Sequence, residues 1–179
     1  MEEQIMNMPA VALRGLTILP GMIAHFDISR ERSLRAVEEA MEQDQKIYLV
    51  TQRNVDSEDP TQEDLYQMGI VADIKQVVRL QNDVVRILVD GISRAALLGF
   101  TDNEKYLEAE ICYCDSNADS LPEDLREAML LGVREAFHRY AAVVGKISKE
   151  LIRQIDQYED LEKLIDYVTN NLPVSYELK

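Results

Sequence analysis

Apolar residues recur with a period of two through most of the first two-thirds of the chain, and with a helical period after that. Met8–Leu13 and Gly21–Ile28 read as strands on either side of Pro20-Gly21, a pair that marks a sharp turn because proline fixes φ and glycine permits positive φ. Ser29 is placed to cap a helix over about residues 30–43, with Leu34, Val37, Ala40 and Met41 at helical spacing. Ile47–Val50 is an unbroken apolar run, the pattern of a strand buried on both faces. Thr51–Asp64 is polar and carries Pro60, so it reads as a surface loop. Ile70, Ala72 and Ile74 then alternate outward and Val85, Ile87 and Val89 alternate back around Gln81-Asn82-Asp83, the strongest hairpin signal in the chain. Gly91 interrupts that pattern, and Ser93–Phe100 and Tyr106–Cys114 read as two further strands. In the last of these Leu107, Ala109, Ile111 and Tyr113 share one face, which predicts a half-buried strand.

The pattern changes after the polar stretch Asp115–Ser120, which reads as a linker. Ser120 and Glu123 form a capping-box pattern with Pro122 in the first turn. A long helix follows, apolar at Leu125, Ala128, Met129, Ala136, Tyr140 and Val143, and widened by Leu130, Val133, Phe137 and Val144 so that two neighbours should pack on it. Gly145 is a helix stop, Ser148 a cap for a short helix with Leu151, Ile152 and Ile155, and Leu161, Leu164, Ile165 and Val168 mark a third that ends at Asn170-Asn171 and Pro173. The expected architecture is α+β: a β-rich lobe with one helix over 1–116, then a small helical bundle over 117–179. Val174–Lys179 is polar and follows a helix stop, a pattern expected where a longer protein continues.

Four blocks carry more than secondary structure: LRGLTILPGM (Leu13–Met22), YLVTQRN (Tyr48–Asn54), DLYQMGIVADI (Asp64–Ile74) and VRILVDGISRAALLGF (Val85–Phe100). In this order and spacing they resemble the N-terminal, substrate-binding domain of the Lon family of ATP-dependent proteases, over roughly residues 8–178. The resemblance implies a PUA-like pseudo-barrel of twisted sheets joined to a helical bundle. It also implies a binding and assembly role toward unfolded or damaged protein substrates, with ATP, Mg and the Ser-Lys protease chemistry confined to downstream domains of a homo-oligomeric parent. Two positions depart from the family pattern. His25-Phe26 stands where a proline or another apolar residue is usual, and Asn82-Asp83 lacks the common glycine, which favours a longer or type I turn over type I′.

Charge and composition narrow the alternatives. A net charge of −14 repels nucleic acid and anionic membrane surfaces alike. It therefore opposes an RNA-binding role for such a barrel, while a free-standing adaptor or ligand-binding protein of the same fold stays open. Met1–Met8 lacks an apolar signal core, and no apolar run approaches the ~20 residues of a spanning helix. Cys112 and Cys114 sit too close along a strand for an unstrained bridge, so a reduced, cytoplasmic protein is expected. A Cys-x-Cys pair is a poor start for a zinc site, and the acidic run Asp56–Asp64 lacks the glycine turn of a calcium loop. Gly145-Lys146 is followed by Ile147 and preceded at five residues by Tyr140, so the phosphate-loop pattern fails. His25 and His138 have no catalytic setting. No catalytic residue, metal site or cofactor is predicted for this segment. The candidate contact residues are Pro20, Met22 and Ile23, with Leu19 and Leu80 as outer members, because they crowd more apolar side chains around loops than a buried face requires.

Overall fold

The computed structural model describes residues 5–114, 118–145 and 147–179, so the expected boundary at 116/117 and part of the Asp115–Ser120 linker lie outside the described residues. Six strands form one mixed sheet: β1 (Ile5–Leu13), β2 (Ile23–Ile28), β3 (Lys46–Thr51), β4 (Met68–Arg79), β5 (Val85–Phe100) and β6 (Glu108–Tyr113), in the order β2-β5-β4-β3-β1-β6. Strand β6 also pairs with β5, which closes β5-β4-β3-β1-β6 into a five-stranded barrel and leaves β2 attached outside it. Only the β1–β3 pairing is parallel, and helix α1 (Glu31–Glu42) lies within that crossover. With the three C-terminal helices the architecture is α+β, as the sequence pattern predicts.

Strand alternation sorts the β lobe into two cores. Met8, Ala10, Ala12, Tyr48, Val50, Val71, Leu97 and Ile111 fill the barrel. Val11, Leu13, Ile47, Leu49, Ile70, Ile74, Ile87 and Val89 form the second, which α1 covers through Ala36, Val37 and Ala40. Strand β3 contributes to both, which explains its unbroken apolar run.

Several local expectations are revised. Gly91 does not end a strand. The predicted strands on either side of it form one 16-residue strand, β5, whose register shifts absorb the extra residues as bulges. Arg30, not Ser29, is the N-cap of α1, and no side chain caps it. Asn82 and Asp83 both have positive φ, of 59° and 55°, which a type I turn lacks and which Asn and Asp tolerate.

Cα clustering separates Met1–Cys114 with Ser175–Leu178 from Asp115–Val174 with Lys179. The pattern alone assigns Ser175–Leu178 to the helical lobe, but this segment groups with the β lobe, where the Thr17 hydroxyl donates to the Tyr176 carbonyl. In the helical unit α2 (Glu123–Val144) packs against α3 (Lys149–Gln157) and α4 (Leu161–Asn171) around Phe137, Ala141, Ile155 and Leu164. Pro122, not Ser120, is its N-cap, without a side-chain cap bond, while Ser148 and Asp160 cap α3 and α4 through the amides of Leu151 and Lys163. As expected, two neighbours pack on α2, although Leu125, Met129 and Leu131 stay exposed. Length explains this: at 1.5 Å per residue α2 is about twice as long as α3 or α4.

Candidate functional site

The segment between β1 and β2 crosses over β5 and is fastened there by its backbone. Gly91 donates to the Met22 carbonyl at 3.0 Å and accepts from the Gly21 amide at 2.8 Å, so two residues of the crossing oppose one of β5. Gly21, at φ 72°, makes the corner possible. Gly91 is required for a different reason: a Cβ there would stand 2.4 Å from the Leu19 carbonyl oxygen. Behind the corner the Thr51 hydroxyl donates to the Leu16 carbonyl at 2.9 Å. The corner is therefore held on a rigid strand.

Its side chains divide cleanly. Ile18 and Leu19 are buried, and Leu19, at 7% exposure, offers almost no surface to a partner. Pro20 and Met22 are half-buried, with Met22 packed on the edge of the α1-side core. Ile23 stands out at 68% exposure. Ile92, which the apparent break at Gly91 concealed, is 47% exposed. Ile23 pairs with Asp90, and Ile92 lies two residues further along β5, at the register shift beside Gly91. The signal for Ile92 was present in the sequence, because Asp90 and Ile92 continue one face of β5 through the glycine.

Leu80 is exposed at the tip of the β4–β5 hairpin, beside Val77 and Val78. The register places Ile23 opposite Asp90 and Arg79 opposite Val85, so five residues of β5, roughly 17 Å, separate the two ends. The structure thus gathers Pro20, Met22, Ile23 and Ile92 and leaves Leu80 in a separate patch.

The outer face beyond Ile23 is polar. Asp27 and Arg86 form a bidentate pair at 2.7 and 2.8 Å, and the Arg86 hydrogen bond and charge hold the Asp27 carboxyl below its ordinary pKa. His25 is exposed on β2, while His138 bonds Asp156 across α2 and α3 at 2.8 Å. Among the described residues no three His, Cys, Asp or Glu side chains are grouped to hold a metal, and no helix is long and apolar enough to cross a membrane. Neither Cys112 nor Cys114 is in a disulfide. The corner can bind apolar side chains and has no reactive group beside it.

The chain thus combines a closed barrel, with Ile23 and Ile92 exposed at one corner, and a helical bundle. The sequence matches the family described as the ATP-dependent protease La (LON) substrate-binding domain over residues 7–179, and the chain belongs to that family. It is 36% identical over 179 residues to the Lon protease of Lachnoclostridium phytofermentans, covering 100% of this chain and 22% of that relative. It is 35% identical over 169 residues to the Lon protease of Clostridioides difficile, covering 93% of this chain and 22% of that one. The chain therefore spans about a fifth of the length of the curated relatives it matches, and that stretch is the family's substrate-binding domain. The fold is similar to the N-terminal domain of the Mycobacterium avium complex Lon protease, with a TM-score of 0.75 at 16% identity over 97% of this chain and 87% of the other. The Xanthomonas campestris Lon N-terminal domain protein is a more distant neighbour, with a TM-score of 0.53 at 14% identity over 94% of this chain and 99% of the other.

Proposed function

We propose that this chain is the substrate-recognition and assembly domain of a cytoplasmic, homo-oligomeric, ATP-dependent serine protease. It binds unfolded or damaged polypeptide, while downstream domains supply ATP- and Mg-dependent unfolding and cleavage. The observation that supports this most directly is the exposure of both Ile23 and Ile92, near Met22 and Pro20, at a corner fixed by backbone hydrogen bonds. Apolar side chains are what unfolding exposes. A methionine-bearing surface accepts them in many arrangements, because the thioether repacks at low cost. A single small patch gives weak binding, and several copies in one oligomer raise it through avidity.

Binding of a permanently unfolded test protein to the 179-residue chain tests this reading. Ile23→Ser combined with Ile92→Ser should weaken binding about tenfold, equivalent to ~1.4 kcal/mol. Both side chains are exposed, so the melting temperature should stay within a few degrees. Unchanged affinity in the double variant would place the substrate surface elsewhere and refute the assignment.

A further inference from the structure

Between β1 and β2 lies a groove of 240 Å³, separate from the apolar corner, lined by Val11–Arg14 and Leu16 on one side and Phe26–Arg30 on the other, with Ser33. Three sets of polar groups meet there. The first is backbone. The Gly91–Met22 bond sets the alternation along β2, so Ala24, Phe26 and Ile28 bond to β5, while His25 and Asp27 turn their N–H and C=O groups to the free edge. Across the groove, Leu13 bonds toward β3 through the Gln52 amide, and Ala12 turns the other way, beyond the Ile5–Pro9 stretch that β6 covers.

The second set is the N-terminus of α1. Its first intrahelical bond runs from Leu34 to the Arg30 carbonyl, no side chain caps it, and the preceding amides carry the positive end of the helix dipole. Ser33 lies in this turn at 3% exposure and lines the groove.

The third set is a pair of guanidiniums. Arg14 and Arg30 both donate to the Ser57 carbonyl, at 2.9 and 3.0 Å, and Gln52 donates to the same oxygen at 3.1 Å. Arg30 also donates to Gln52 Oε1 at 2.9 Å, and Gln52 also donates to the Asn54 carbonyl at 3.0 Å. Neither arginine has a carboxylate within 4.0 Å among the described residues, although the chain carries 33 acidic against 19 basic residues. Burial and the neighbouring Arg14 charge lower the Arg30 pKa. Glu58 and Asp59 act in the opposite sense on Arg30 without pairing to it, and Asp27 is engaged through both oxygens by Arg86.

We propose that the groove is a carboxylate site for the free C-terminal end of an extended polypeptide. The α-carboxylate lies against Arg14, Ser33 and the α1 amides, the last side chain packs on Leu16 and Phe26, and the preceding backbone adds to the free edge of β2. A free inorganic anion would use the charges and leave the apolar wall and the strand edge idle, whereas a chain terminus uses all three. The inference rests on the reading of the domain as a polypeptide binder and adds the class of end it prefers.

Fluorescence anisotropy with a short Ala/Val peptide, as the free acid and as the C-terminal amide, tests it on the 179-residue chain. The acid should bind about tenfold more tightly than the amide, ~1.4 kcal/mol. Arg14→Gln and Ser33→Ala should each bring the acid close to the amide. Arg14 is exposed, and alanine suits a helix interior, so both variants should fold. Equal binding of acid and amide by the unmodified chain, or an acid preference that survives both substitutions, overturns the proposal. So does equally tight binding of an amidated peptide with glutamate in the last position, which would assign the groove to side-chain carboxylates. A C-terminally blocked unfolded protein separates the two readings. If it still binds through Ile23 and Ile92 while acid and amide do not differ, only the carboxylate site fails. If acid and amide differ while Ile23→Ser/Ile92→Ser leaves that protein's binding unchanged, only the apolar corner fails.

Discussion

Replacing Gly91 with alanine tests the seat of the corner directly. The new Cβ would meet the Leu19 carbonyl oxygen at 2.4 Å and Ile18 Cγ2 at 3.2 Å. Ordinary contacts lie near 3.5 Å, so the crossing segment must move by roughly 1 Å. The first neighbour is backbone and cannot swing aside. Overpacking of this kind costs about 1–3 kcal/mol. The same movement weakens the bonds that join Gly91 to Gly21 and Met22, each worth about 0.5–1.5 kcal/mol. A loss of about 2–4 kcal/mol in all is expected, which lowers the urea midpoint of the β lobe by about 1 M or more at an ordinary m-value. If the segment lifts off instead of the lobe unfolding, the amides of Gly21 and Gly91 lose hydrogen-exchange protection first. Gly99→Ala is the matched control on the same strand, because its nearest neighbour would be the Gln62 side-chain oxygen at 4.0 Å. That variant should stay within about 0.5 kcal/mol of the parent. A Gly91→Ala protein as stable as Gly99→Ala, with both amides protected, would show that the crossing segment does not rest on β5 as described.

Tyr48 is buried and donates to the Ala95 carbonyl at 3.0 Å, and burial raises its pKa well above the usual ~10. Its contribution is therefore fully present below about pH 10 and is lost as pH rises further; Tyr48→Phe should cost about 1–3 kcal/mol in urea melts at neutral pH and flatten the alkaline decline. Leu164→Ala should remove about 2–5 kcal/mol from the helical unit, whose core is separate from both β cores, so hydrogen exchange should accelerate in α2–α4 while β1–β6 keep their protection.

Much of this fold was legible because its signals are local. The unbroken run Ile47–Val50 announced a strand shared by two cores, Ser148 announced a cap, and the alternation around Gln81–Asp83 announced the longest hairpin. Barrel closure was not legible, since the β5–β6 pairing depends on bulges that a period-of-two pattern registers as breaks. The same blindness hid Ile92, because a residue beyond an apparent strand end is assigned to no face. Leu19 failed as a contact residue for the converse reason. Its neighbours in sequence suggest a crowded loop, but the loop lies on β5 and turns Leu19 inward. The groove had no sequence signal, since Arg14, Ser33 and Ser57 meet only through the parallel crossover.

The topology ties the two candidate surfaces together. Closing five strands into a barrel removes their edges, and the sixth strand, attached outside, keeps one edge that nothing in the barrel pairs. Natural edges are usually guarded by charge, and β2 does carry Asp27 on its outer face. Arg86 neutralises that guard from within the same sheet, while Arg14 and Arg30 add the opposite charge at the groove. On the reading proposed above, this open edge beside Arg14 and Arg30 receives a chain rather than repelling one. At its start the same strand presents Ile23 to the apolar corner. One six-residue strand thus offers side-chain contact through its first residue and backbone contact through His25 and Asp27, the two features that every unfolded polypeptide has in common.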